Sequence, residues 1–100
     1  MVIKICDHVG RCYSNEDGKV IRDLLVGYLN KGTSLTVSFK NIDGVTSSFV
    51  NTAFIELLDD FDFDVIKRSL KFVDSNKQIN DMIKSRFSFE VNRRKNLMLV

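Results

Sequence analysis

Between Leu35 and Leu58 the chain changes its hydrophobic period. In Ser34 to Lys40, Leu35, Val37 and Phe39 fall on one side and the small polar Thr36 and Ser38 on the other. After Ser48 the apolar residues Phe49, Val50, Ala53, Phe54, Leu57 and Leu58 recur at helical spacing. A period of two marks a strand and a period near 3.6 marks a helix. Asp43-Gly44 and Thr46-Ser47-Ser48 lie between them. The stretch is therefore a strand, a tight connection and a helix. Because the polar residues of the strand are small, a helix can pack over them and the strand can be central.

The flanks repeat the alternation. Val2 to Cys6 has the β-branched character of a short strand, with Lys4 interrupting it. His8 to Asp17 is polar and reads as a loop, with Asn15 or Asp17 as a helix cap. Val20, Ile21, Leu24, Leu25, Tyr28 and Leu29 form one apolar stripe, which predicts a helix over Lys19 to Asn30. Gly32 sits where a left-handed helix terminus favours glycine. The second helix should stop near Asp59 or Asp60, because carboxylates at a C-terminus oppose the helix dipole. A helical turn over Asp62 to Ser69, a strand over Leu70 to Asp74 and a last helix through Ile79, Met82, Ile83 and Phe87 follow. Asp74, Ser75 or Asn76 caps that helix. Phe89 and Val91 alternate as in a strand, and Leu97 to Val100 is apolar, so residues 93–100 read as a final strand or a packed tail. The order β-α-β-α-β-α predicts a single α/β domain over residues 1–100, with a small, mainly parallel sheet backed by helices.

Composition narrows the function classes. Hydrophobic residues make up 44% and charged residues 28% of the 100, a globular balance rather than a disordered one. Eight Phe with no Trp and no Pro predict a phenylalanine-filled core. A net charge of +2 lacks the basic excess of a nucleic-acid binder. The one basic cluster, Arg93-Arg94-Lys95, reads as a solvated helix end. The opening MVIKICDHVG is too short and polar for a signal peptide, and no apolar run reaches membrane-spanning length. The expected compartment is the cytoplasm, where Cys6 and Cys12 stay reduced.

Few residues assemble into a chemical motif. Cys6, Asp7, His8 and Cys12 do not have paired zinc-ligand spacing, and nothing visible orients His8 as a base for a cysteine nucleophile. A buried Cys6 and a surface His8 are expected instead. Asp60, Asp62 and Asp64 alternate, but Val65 and Lys71 stand where a calcium loop needs Gly and Glu, so Glu56 to Asp64 reads as a solvated acidic turn. The scattered glycines form no phosphate-binding loop. No catalytic residue, cofactor or metal ligand is assigned.

Two roles are open to Thr46, Ser47 and Ser48. One is helix capping, in which a hydroxyl accepts a bond from a first-turn N–H and contributes about 1 kcal/mol. The other is phosphoacceptance: a helix N-terminus tolerates a phosphate, whose charge then changes what docks there.

VSFKNIDGVTSSF resembles the core signature of STAS domains, and more closely a STAS-like family of unknown function in small bacterial proteins. The likeness runs without gaps from Leu35 to Leu58 and extends more weakly from Gly18-Lys19-Val20-Ile21-Arg22 to the last helix. The chain departs from the classical signature at Thr46, Phe49 and Ser38, where Asp, Gly and Asp are usual. It has Thr52 where the STAS-like family often has Glu. The resemblance implies a small sheet backed by helices and a non-catalytic regulatory role. In anti-sigma factor antagonists the equivalent serine is phosphorylated by a GHKL-type ATPase kinase, which binds the unphosphorylated form. On this register Ser48 is the acceptor and Ser47 its neighbour, with Thr46, Phe49, Asn51, Thr52, Ile55 and Glu56 as the partner-binding residues. Ile55 lies off the apolar stripe and is expected to be exposed. An oligomerisation module, in which the serines only cap and the tail joins two copies as a homodimer, is the alternative. A small enzyme using Cys6, His8 or the carboxylates is a third, and requires a concave pocket with shifted ionisable groups.

Overall fold

The computed structural model describes residues 1–98. Strands β1 (Val2–Lys4), β2 (Leu35–Ser38) and β3 (Leu70–Val73) form one parallel sheet in the order β1-β2-β3. Helix α1 (Asn15–Asn30) joins the first two strands. Helix α2 (Ser47–Ala53), a 3-10 turn (Ile55–Asp59) and helix α3 (Phe63–Ser69) lead from β2 to β3, and α4 (Lys77–Met98) closes the chain. This is the α/β architecture that the alternating periods predict, with β2 in the centre.

Val37 pairs with Ile3 on one side and Phe72 on the other. Ile3, Leu35, Val37, Phe39 and Leu70 are buried beneath the helices. The opposite face carries the rows Val2–Thr36–Lys71 and Lys4–Ser38–Val73, of which Val2, Lys71 and Val73 are exposed. No helix among the described residues covers Thr36 and Ser38, contrary to what their small size allowed. The crossovers explain this. Both step in the same direction across the sheet, and right-handed connections of that kind lie on one face. Ser38 is nonetheless buried, and its hydroxyl is satisfied there, Oγ donating to Asp74 Oδ2 at 2.7 Å.

Helix α1 begins earlier than its apolar stripe indicates. Its cap is Ser14, whose Oγ accepts from Asp17 N at 3.1 Å, and Glu16 and Asp17 place negative charge in the first turn. At the other end Gly32 takes φ 73°. Its N–H donates to Leu29 O at 3.0 Å, and that of Thr33 to Tyr28 O at 3.1 Å, so the last carbonyls are satisfied.

The second helix is shorter than predicted. It ends at Ala53, and Phe54, at φ −122°, leads into the 3-10 turn. The ring of Phe54 stands 5.2 Å from Phe72, 6.0 Å from Phe49 and 6.2 Å from Phe39, each edge-on. Such edge-to-face groupings stabilise beyond the area they bury. The expected phenylalanine core is this cluster. The change of helix type shifts the phase after it, and Ile55 turns inward while Leu57 stays buried as expected.

Asn76 caps α4, its Oδ1 accepting from Ile79 N at 3.0 Å. Phe89, Val91 and residues 93–98 belong to this helix and not to a strand. The buried set Ile79, Ile83 and Phe87 keeps a spacing of four, which the local alternation of Phe89 and Val91 obscured. Phe89 remains exposed, with the Arg86 guanidinium 5.1 Å from its ring. The basic cluster is solvent-exposed at Arg93 and Lys95, as expected of a solvated helix end, but Arg93 and Arg94 are also paired. Arg94 Nη2 donates to Asp59 Oδ1 at 2.7 Å and Nη1 to Leu58 O at 3.2 Å, and Arg93 pairs with Glu90. The packing of the apolar tail lies outside the described residues. No helix among those described is long and apolar enough to cross a membrane.

Gly18 sets how closely α1 and α2 approach. A Cβ there would stand 2.9 Å from Phe49 O, 2.9 Å from Thr52 Cβ and 3.2 Å from Ala53 N. Two of those atoms are backbone and cannot swing aside. Gly18→Ala should therefore lower stability by about 1–3 kcal/mol in urea unfolding, despite alanine's better helix propensity. Gly27→Ala, in the same helix but facing open space, should raise it by about 0.5–1 kcal/mol. Equal effects at the two sites would contradict the close approach.

Candidate functional site

The turn into α2 is pinned from two sides. Thr46 is the cap: its Oγ1 accepts from Phe49 N at 3.2 Å and donates to Tyr13 O at 2.9 Å. Its N–H donates to Cys12 O at 3.1 Å. Thr46 thus ties α2 to the loop that precedes α1. From the other side Gln78 of α4 clasps Val45, accepting from its N–H at 3.0 Å and donating to its C=O at 3.0 Å. Asn76 Nδ2 donates to Asp43 O at 2.8 Å. The backbone before the helix is fixed by groups more than thirty residues away in both directions, the Cys12 and Tyr13 carbonyls on one side and the Gln78 side chain on the other.

Ser47 and Ser48 occupy the first two positions of α2 and are exposed. Among the described residues neither hydroxyl takes part in a hydrogen bond. The capping role therefore falls to Thr46 alone, and the serines are free to meet another molecule. Tyr13 is exposed on the loop held by Thr46, and a shallow cleft of about 120 Å³ lies between the Gly10–Tyr13 and Asn41–Gly44 loops.

The other residues expected around the serines divide into two groups. Asn51, Thr52 and Glu56 are half-buried and tie α2 and the 3-10 turn to their neighbours. Asn51 Oδ1 accepts from Arg86 Nε at 2.9 Å, Thr52 Oγ1 donates to Asn15 Oδ1 at 3.2 Å, and Glu56 Oε1 accepts from Arg22 Nη1 at 2.9 Å. Phe49 and Ile55 are corrected. Phe49 is wholly buried, with its ring against Phe54. Ile55 is 5% exposed, because the helix changes type at Phe54 and α4 closes over the spot where the side chain turns in. Neither offers a surface to a partner.

The cysteines are placed the other way round from expectation. Cys12 is buried and Cys6 half-buried, because β1 ends at Lys4 and Cys6 lies in the 3-10 turn Ile5–Asp7. His8 is exposed, as expected. Burial, with the nearby Asp17 charge, pushes the Cys12 thiol from 9.0 up to about 12, so it is a protonated packing group at neutral pH. Among the described residues no three of His, Cys, Asp and Glu gather as a metal-ion group. The acidic exit of the second helix is only partly solvated, since Glu56 and Asp59 are answered by Arg22 and Arg94.

The profile of a STAS-like domain of unknown function (DUF4325) matches residues 17–80, from the first turn of α1 to the start of α4. The chain belongs to this family. The match spans β2, the serine turn and β3, so the pinned strand-to-helix connection lies inside the STAS-like unit. Neither a search of curated proteins nor a search of solved structures returned a match.

Tyr13 and Gln78 were not among the expected site residues. Nothing local marks them, since each acts on a turn distant in sequence. For the STAS-like domain, Thr46→Ala should cost about 1–2 kcal/mol in thermal or urea unfolding, whereas Ser47→Ala and Ser48→Ala should stay within about 0.5 kcal/mol. Cys12 adds a pH dependence. Between pH 9 and about 12 the unfolded chain gives up a thiol proton that the native state keeps, so stability falls as pH rises. Cys12→Ala should flatten that part of the curve. Iodoacetamide at pH 8 should label Cys6 of the native protein before Cys12.

Proposed function

We propose that this STAS-like domain is a non-catalytic regulatory module that binds a protein partner through the Ser47–Ser48 turn, with Ser48 as a phosphoacceptor. The observation that supports it most is the division of roles at the turn. Thr46 makes the capping bonds, so the serine hydroxyls are exposed without being needed for the fold. Phosphorylation there would add about two negative charges to a surface that α2, Tyr13 and the outer edges of Asn51, Thr52 and Glu56 share. The helix dipole favours charge of that sign at its N-terminus, so the domain tolerates the modified state. By analogy with anti-sigma factor antagonists, the partner is a GHKL-type ATPase kinase that binds the unmodified serine.

The test compares Ser48→Asp and Ser48→Ala in capture of partners from the native host, read by mass spectrometry with phosphosite mapping. Ser48→Asp should weaken capture about tenfold or more while its unfolding free energy stays within about 0.5 kcal/mol of the parent. Ser48→Ala should retain the partner. Equal capture by both variants and the parent would overturn the switch.

A further inference from the structure

Away from the serine turn, α4 does not close onto β3. It packs mainly on α2 and the 3-10 turn and meets α3 through Phe87, and a cleft of about 380 Å³ remains between α3, β3 and the middle of α4. Ile66, Leu70, Ile83 and Phe87 line it and are nearly solvent-free individually, so the cleft is deep rather than a flat patch. Phe63 stands against Phe87, with ring centroids 5.5 Å apart, and Phe72 lines the cleft from β3. An apolar cleft held open to water forgoes roughly 25 cal/mol per Å² of burial. An apolar body seated there would recover that energy chiefly on Phe63 and Phe72, which are only half-buried.

The polar groups on the cleft are of one sign. Lys67 and Lys84 line it from α3 and α4, and both are exposed. Among the described residues neither forms an ion pair. The Lys67 ammonium lies 5.6 Å from the centre of the Phe63 ring, at the border between apolar wall and water. Ser88 adds a hydroxyl. Size argues for a small molecule. The volume falls at the lower end of the roughly 300–1,000 Å³ of ligand sites, whereas a stable protein partner needs about 800 Å² of surface from each side.

We propose that this cleft binds a small amphipathic carboxylate, with its aliphatic or aromatic body among the phenylalanines and its anionic head between Lys67 and Lys84. The site is independent of the serine turn, and its test does not depend on a partner for Ser48.

Decanoate below its micellar concentration is the probe, titrated into the full chain by calorimetry and by amide chemical-shift perturbation. Binding should saturate at one per chain, with shifts centred on residues 63–72 and 83–88. Decanol should bind about tenfold more weakly, since it lacks the charge-assisted contact, and decyltrimethylammonium should not bind. The pair Lys67→Glu and Lys84→Glu should weaken decanoate at least about tenfold and leave decanol unchanged. Ser88→Trp, at an exposed position of α4 on the rim of the cleft, should block both ligands. Absence of saturable decanoate binding, perturbation centred elsewhere, or equal affinity for decanol would each overturn the proposal.

Discussion

The backbones of α1 and α2 meet at Gly18 with no room for a methyl group between them. Much of the domain depends on that contact. Helix α2 has only seven residues, fewer than an isolated helix needs to persist in water. Its neighbours therefore hold it in place. Gly18 lets α1 press against it, Phe54 anchors its far end in the ring cluster, and Thr46 and Val45 tether its start. The position of the serines follows from these restraints.

The scaffold could be read from periodicity because each element keeps its hydrophobic pattern over its own length. The strands, the end of α1 at Gly32 and the cap by Asn76 are all local signals. Ile55 marks where local reading stopped. Its position was projected along a continuous α-helix, and a single residue of altered backbone at Phe54 invalidated the projection. Helix packing by α4 removed what exposure was left. The same limit applies to the open sheet face. Small residues at Thr36 and Ser38 permit a covering helix, but the direction of both crossovers decides that none arrives. Phe89 and Val91 show the converse, where a short accidental alternation sat inside a long helix.

The serine turn was legible as chemistry, though its support was not. Three adjacent hydroxyl residues at a helix start all satisfy the rule for a cap, and only tertiary contacts tell them apart. Thr46 is distinguished by the carbonyl of Tyr13, thirty-three residues earlier. Gln78 is distinguished by the backbone of Val45, thirty-three residues earlier. Helix α4 has a double role in this arrangement. Ile83 and Phe87 border the apolar cleft, while Arg86, Glu90 and Arg94 border the groove over Ile55.

The one-sided sheet has a further consequence. With all crossovers on a single face there is one apolar layer, and each helix roofs part of the same floor. No second layer exists among the described residues to retain order if the first is disturbed. Detaching α1 would uncover β1 and β2 together and leave α2 without its support. The domain is thereby built to unfold as one cooperative unit, and fraying of any single element is opposed by the loss of all the others.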